Sequence, residues 1–156
     1  MDIEQLISPE RVRCVSEAKD KEQVLSYVGQ LIGEAEDRLT GDEICKRLMA
    51  RERLGSTGLG HGVALPHARL EGIDKAIGAF IRLDQGIDFH AFDRAPVDIL
   101  FALVVPEHFT DEHLQILAAL AEMFSDPELC EKLRSPSSDD SLHEILRGWR
   151  PSSDST

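Results

Sequence analysis

Two features of the sequence have clear chemical potential: a histidine and the glycine-rich segment in front of it. His67 follows Pro66, whose ring fixes φ and lacks an N–H group, so a stiff backbone presents the imidazole. A neutral imidazole is a good nucleophile near pH 7, because its unperturbed pKa is about 6.5. Residues 55–62 contain four glycines, which let backbone N–H groups approach an anion closely. Taken singly, the glycines also fit a tight surface loop, and the histidine also fits the end of a strand.

Basic residues surround this segment and favour an anionic ligand. A phosphorylated histidine gains about −1.5 to −2 charges, so neighbouring cations are needed to stabilise it. Arg69 follows the histidine, and four basic residues precede the glycines: Lys46, Arg47, Arg51 and Arg53. Arg47 and Arg51 also fit an i, i+4 ladder on a solvated helix face. That interpretation is favoured for Arg47, whereas Arg51 lies nearer the glycine segment.

A second histidine lies in the first turn of a predicted helix over residues 111–124. His113 shares a helical face with Leu117, Leu120 and Phe124, so its ring is expected to border the buried side. A helix N-terminus also attracts phosphate through its free N–H groups. A half-buried histidine bonded to backbone remains the equal alternative.

Other chemistries lack their signatures. No Gly-Lys-Ser/Thr closes the glycine segment, and its glycines lack the spacing of a dinucleotide fingerprint. No Gly-x-Ser-x-Gly elbow is present. A zinc site from His61, His67 and His113 is conceivable, but no regular ligand spacing supports it. We therefore expect neither a metal ion nor a cofactor, and we assign His90 no role.

The charge balance excludes two classes of partner. With 17 Lys+Arg against 29 Asp+Glu the net charge is −12, which repels nucleic acid and anionic lipid. Residues 106–156 hold 4 basic and 11 acidic groups, so the excess is concentrated there. We expect partners to dock through basic surfaces, with binding that weakens in salt.

Localisation is inferred from apolar runs and cysteines. The sequence shows no apolar run near 18 residues and opens with acidic residues instead of a basic leader, so no stable membrane insertion is expected. Three scattered cysteines, expected to act as small buried hydrophobes, fit a reducing cytoplasm: Cys14, Cys45 and Cys130.

Patterning predicts alternating strands and helices, which indicates a single-domain layered α/β protein. Strands are expected at residues 12–15, 63–65, 76–83 and 97–105, the last buried on both faces. Helices are expected to start at capping boxes after Asp20 and Thr40, at Asp111, after Asp126 and at a Ser141–Glu144 box. Residues 135–140 are predicted to form a polar loop, and residues 151–156 a frayed tail.

Three stretches of the sequence together resemble a known family. Residues 51–67 read RERLGSTGLGHGVALPH, and further matches are PVDILFAL at 96–103 and HLQIL at 113–117. The string closely resembles the active-site segment of type 2 IIA domains of the phosphoenolpyruvate-dependent phosphotransferase system, in its nitrogen-regulatory branch. The resemblance covers residues 3–148 as one domain. It implies a mixed β-sheet flanked by helices on both faces.

The resemblance also implies a site and a phosphoryl donor. His67 matches the histidine that accepts phosphate on Nε2 from an HPr-like phosphocarrier protein. Arg51 matches the arginine near the phosphate, and His113 matches the second active-site histidine. The implied phosphate-binding loop is formed by Ser56, Thr57 and Gly58. One departure is Ala68, where the family usually has glycine.

The favoured function is a regulatory phosphocarrier whose targets bind according to the phosphorylation state of His67. In the family such targets include potassium-transport regulators. The alternative is a sugar-transport IIA component that passes phosphate to a IIB domain. An interaction module with an inactive site is a third hypothesis, and a metal hydrolase a remote fourth.

Overall fold

The apolar strand at residues 97–105 forms the middle of the sheet. In a computed structural model that describes residues 3–135 and 138–150, this strand spans Val97–Pro106. It pairs antiparallel with the strand Ile77–Ile87, in a register that places Ile77 opposite Val104. Alternate residues enter separate apolar clusters on the two faces, with Leu100 on one and Phe101 on the other. Burial on both faces is therefore confirmed.

In the part of the chain that the structure describes, six strands form one mixed sheet: β1 (Val12–Val15), β2 (Gly58–Gly60), β3 (Val63–Ala64), β4 (His67–Leu70), β5 (Ile77–Ile87) and β6 (Val97–Pro106). The order is β1-β5-β6-β3-β2, and β4 also pairs with β6 beyond the end of β3. Both β3 and β4 run parallel to β6, whereas β5 runs antiparallel to it. The prediction missed β2 and β4, and β5 extends to Ile87 through a polar, irregular stretch.

Among the described residues, five α-helices cover the two faces: α1 (Lys21–Ala35), α2 (Gly41–Glu52), α3 (Asp111–Phe124), α4 (Pro127–Arg134) and α5 (Asp139–Gly148). Two short 3-10 helices, Ile3–Gln5 and Pro9–Arg11, precede β1. Helices α1 and α2 bury their apolar residues against one face, and α3, α4 and α5 against the other. The predicted mixed sheet flanked by helices on both faces is confirmed.

Most predicted helix starts are confirmed by capping hydrogen bonds. The side chains of Asp20, Thr40 and Asp126 accept backbone N–H groups at the starts of α1, α2 and α4. The Ser141 cap is wrong. Helix α5 begins at Asp139, because Ser138 has an extended backbone and its hydroxyl accepts the Ser141 N–H at 3.2 Å. Asp139 and Asp140, predicted to belong to the polar loop, are helical, and residues 136–137 of that loop lie outside the described residues.

Strands β3 and β4 run along the same side of β6, separated by Leu65 and Pro66. Val63 lies opposite Ile99 and His67 opposite Leu103, so the chain stays alongside β6 across the break. Leu103 donates its N–H to the Pro66 carbonyl at 2.9 Å, whereas Leu65 donates to Thr57 at 3.0 Å. Carbonyls alternate along an extended chain, so the Leu65 carbonyl faces away from β6, where a side chain can reach it. His67 begins a strand here; it does not end one.

The remaining predictions on cysteines and membranes have mixed outcomes. Cys130 is buried as expected, whereas Cys14 and Cys45 are only partly buried. No helix in the described ranges is long and apolar enough to cross a membrane. The predicted tail at 151–156 lies outside the described residues.

The close packing of α1 on α2 gives a first prediction. A Cβ atom at Gly29 would lie 2.8 Å from the Gly41 carbonyl oxygen and 3.1 Å from the Cys45 nitrogen, both backbone atoms. Gly29→Ala should therefore lower the free energy of unfolding by about 1–3 kcal/mol despite alanine's higher helix propensity. Gly148→Ala is the matched control, since nothing lies within 4 Å of a Cβ there. Equal stabilities of the two variants in urea unfolding would contradict this packing.

Candidate functional site

A cleft of about 830 Å³ opens beside β4, where the two helical layers meet at the edge of the sheet. Helix α2 and the residues after it line one side, and the first turns of α3 line the other. His67 begins β4 between them. The structure therefore brings together three of the predicted site residues, His67, His113 and Arg51, from β4, α3 and α2.

The protein fixes the orientation and tautomer of the half-buried His67 ring. Its Nδ1 lies 2.8 Å from the Leu65 carbonyl oxygen. A carbonyl only accepts hydrogen bonds, so Nδ1 carries the proton and donates. In the neutral ring the lone pair is then on Nε2. The Leu65 carbonyl thus makes Nε2 the nucleophilic atom.

His113 lies against His67 at the start of α3. The ring centroids are 5.4 Å apart and the planes meet at 75°, an edge-to-face arrangement. His113 is half-buried, as the helical pattern predicted. Its Nε2 is buried and lacks a hydrogen-bond partner among the described residues. Because a buried polar nitrogen without a partner is costly, this atom is suited to bind a ligand atom in the cleft.

Three arginines line the cleft. Arg51 donates to the Gly55 carbonyl at 2.9 Å, which holds its side chain at the end of α2. Arg47 lies one helical turn earlier, and Arg69 follows His67 on β4. Arg47 is exposed, as predicted for a solvated helix face, and it also lines the cleft on the same side of α2 as Arg51. The i, i+4 spacing of these two arginines was the signal that could have placed Arg47 beside Arg51 in the cleft.

Burial in the cleft favours the neutral form of His67. Burial lowers the pKa of His67, and the nearby Arg51 charge lowers it further, while the Leu65 hydrogen bond and the Glu52 carboxylate raise it. Burial also lowers the pKa of His113, with contributions from His67 and Arg69. Both rings are therefore uncharged at pH 7, the form required of a nitrogen nucleophile.

The predicted loop residues Ser56, Thr57 and Gly58 lie outside the described lining of the cleft. The Ser56 hydroxyl donates to the Phe89 carbonyl at 3.0 Å and accepts the Gly58 N–H at 3.1 Å. Buried Thr57 donates both its N–H and its hydroxyl to the Glu52 carboxylate. Their role in binding phosphate stays a prediction, and in this geometry other partners occupy these polar groups.

Sequence reasoning missed Glu52, the last residue of α2. Only 7% of this residue is exposed, and its carboxylate pairs with Lys21 Nζ at 2.7 Å. A carboxylate next to the basic Arg51 and before a glycine segment gives no sequence signal of burial. An isolated buried acid is costly, so the pairing with Lys21 and Thr57 is what permits this position.

Exposed apolar residues border the cleft. Leu54 is 83% exposed and Leu114 is 67% exposed, and they lie on opposite sides of His67. His61 lies apart from the cleft lining, with its carbonyl bonded to Arg134 and its N–H to Asp93. Within the described part of the chain, no three His, Cys, Asp or Glu side chains are grouped to hold a metal ion.

The electrostatics predict how His67 titrates. Its pKa should lie below the usual value of about 6.5, as measured by NMR titration of the ring. Arg51→Gln should raise that pKa, because it removes a positive charge that disfavours protonation. Arg13→Gln on the distant strand β1 should leave it unchanged. An unchanged or lowered His67 pKa in Arg51→Gln would refute this account of the cleft.

Comparison with known proteins places the chain in a family. The family model for the phosphoenolpyruvate-dependent sugar phosphotransferase system, EIIA 2, matches residues 5–148. A nitrogen regulatory protein of Pseudomonas aeruginosa is 39% identical over 144 residues, which cover 92% of this chain and 94% of that protein. The sequence resemblance is thereby confirmed.

Solved structures agree with this assignment. Nitrogen regulatory protein IIA-Ntr from Neisseria meningitidis superposes with a TM-score of 0.85 and 39% identity, covering 92% of this chain and 98% of that one. IIA mannitol from Escherichia coli has a TM-score of 0.73 at 22% identity, covering 90% and 98%, and so shows the shared fold alone. The chain belongs to the EIIA type 2 family of the phosphoenolpyruvate-dependent sugar phosphotransferase system.

Proposed function

We propose that the protein is a cytoplasmic regulatory phosphocarrier that accepts a phosphoryl group on His67 Nε2 from an HPr-like phosphocarrier protein. The observation that carries this proposal is the Leu65 carbonyl bonded to His67 Nδ1 at 2.8 Å. It leaves the Nε2 lone pair free in a cleft that Arg51 and His113 also line. The relatives named nitrogen regulatory protein support a regulatory role.

The transfer is an in-line exchange between two imidazoles. The Nε2 lone pair of His67 forms the new N–P bond while the N–P bond of the donor histidine breaks. The electron pair of the broken bond returns to the donor ring, which leaves as a neutral imidazole if its other nitrogen keeps its proton. His67 Nδ1–H stays bonded to Leu65, whose carbonyl stabilises the positive charge gained by the ring. No proton has to cross between the two proteins.

Arg51 and His113 are placed to stabilise the transferred group. Its negative charge is spread over the equatorial oxygens, so catalysis depends on positioning and electrostatic stabilisation. Arg51 supplies a permanent positive charge, and the unpartnered Nε2 of His113 is available to hydrogen-bond a phosphoryl oxygen. The phosphorylated cleft then presents a different charge to targets, among which we include potassium-transport regulators.

The direct test is phosphoryl uptake measured by intact mass. Wild-type protein incubated with enzyme I, an HPr-like protein and phosphoenolpyruvate should gain one phosphoryl group per chain, and His67→Ala should gain none. His90→Asn is the matched control, because His90 is exposed and asparagine tolerates its positive φ of 59°. Labelling of His67→Ala, or no labelling of the wild type, would contradict the proposal.

His113 is expected to affect the rate of transfer more than its extent. His113→Ala should slow the initial rate about 10- to 100-fold, because it removes one hydrogen bond to the developing charge. The final stoichiometry should be reached on long incubation, since His67 is intact. Quench-flow mass measurements give both quantities, and an unchanged rate would return His113 to a structural role.

Onward transfer to sugar IIB proteins at a comparable rate would favour the alternative, a sugar-transport component.

A further inference from the structure

We propose that Glu52 is a positioning residue for phosphoryl transfer, which fixes the reactive tautomer of His67 through Thr57 and Leu65. This inference rests on the proposed function of His67. A continuous set of hydrogen bonds runs from the buried Glu52 carboxylate through Thr57 and Leu65 to the His67 imidazole.

The first link joins Glu52 to Thr57. The carboxylate is at the C-terminal end of α2, with a side chain only 3% exposed. It accepts the Thr57 N–H at 3.2 Å and the Thr57 hydroxyl. Thr57 is itself buried, so its orientation is set by this carboxylate and not by solvent.

The second link joins Thr57 to the catalytic ring. The Thr57 carbonyl accepts the Leu65 N–H at 3.0 Å, and the Leu65 carbonyl accepts His67 Nδ1–H at 2.8 Å. Leu65 lies between the end of β3 and the start of β4. Thr57 therefore supplies the partner that holds Leu65 in place, and through it the carbonyl that selects the Nδ1–H tautomer.

Lys21 anchors the other side of the carboxylate. Its Nζ lies 2.7 Å from Glu52 Oε2 and 3.3 Å from the Phe89 carbonyl, which also accepts the Ser56 hydroxyl at 3.0 Å. The start of α1 and the loop after β5 thus fix the segment that carries Thr57. A neutral residue in place of Glu52 would leave this ammonium, 17% exposed, without its counter-ion.

The charge of Glu52 acts on His67 in addition to its hydrogen bonds. The Glu52 carboxylate raises the pKa of His67, in opposition to Arg51. Other ionisable groups around the ring come from each element that borders the cleft: His113 and Asp111 of α3, Arg69 of β4 and Glu107 after β6. Loss of the Glu52 charge alone should therefore lower the His67 pKa.

The test combines NMR of the imidazole with transfer kinetics on the full-length chain. Wild-type His67 should show the Nδ1–H tautomer in two-bond 1H–15N spectra. Glu52→Gln should show a mixture of tautomers, a lower His67 pKa and an initial transfer rate reduced about tenfold or more. The final extent of labelling should match that of the wild type, because His67 and Arg51 remain.

Two sets of controls separate positioning from general stability. Glu36→Gln removes another largely buried carboxylate, which pairs with Arg38 at 2.8 Å away from the cleft, and should leave the His67 tautomer unchanged. Thr57→Val should shift the tautomer in the same direction as Glu52→Gln, whereas Thr57→Ser should restore wild-type behaviour. If Glu52→Gln fails to fold, the Thr57 pair decides the question.

The outcomes also distinguish this inference from the proposed function. A wild-type tautomer and rate in both Glu52→Gln and Thr57→Val would overturn the role of Glu52 while leaving phosphorylation of His67 intact. Absence of labelling in the wild type would overturn the proposed function, but the tautomer measurement needs no phosphoryl donor. A tautomer mixture in Glu36→Gln as well would also overturn the role of Glu52.

Discussion

The hydrogen bond from His67 Nδ1 to the Leu65 carbonyl is the interaction on which the site depends. It exists because the Pro66 carbonyl faces β6 and accepts the Leu103 N–H, whereas the Leu65 carbonyl faces away from β6, two residues before the histidine. A neutral imidazole has two possible tautomers, and this bond selects the one in which Nε2 is the nucleophilic nitrogen. A backbone N–H group bonded to that carbonyl in place of the imidazole would leave the tautomer unspecified.

The position of the cleft follows from the layered fold. Helices α2 and α3 belong to opposite faces of the sheet, and they approach each other only past the edge strand β4. The histidine at the start of that strand is thus bordered by an arginine from one layer and a histidine from the other. The chain has a net charge of −12, yet three arginines line the cleft and supply positive charge where an anion would bind.

Local patterns predicted the features that depend on nearby residues. Residue spacing alone predicts the caps at Asp20 and Thr40 and the doubly buried strand β6. It also predicts the half-buried position of His113. Features set by distant partners escaped prediction. Thr57 lies in a glycine-rich stretch that suggested a phosphate loop, but the Glu52 carboxylate and the Leu65 N–H direct its polar groups inward. Strand β4 is short and carries an arginine, and only its pairing with β6 makes it a strand.

The position of the phosphorus atom on the phosphorylated protein tests most directly whether His67 Nε2 is the nucleophile. A 1H–31P correlation spectrum combined with 15N labelling of the histidines identifies both the residue and the ring nitrogen. We expect phosphorus on Nε2 of His67, with the proton retained on Nδ1 and bonded to Leu65. Phosphorus on Nδ1 of His67, or on a different residue, would contradict it.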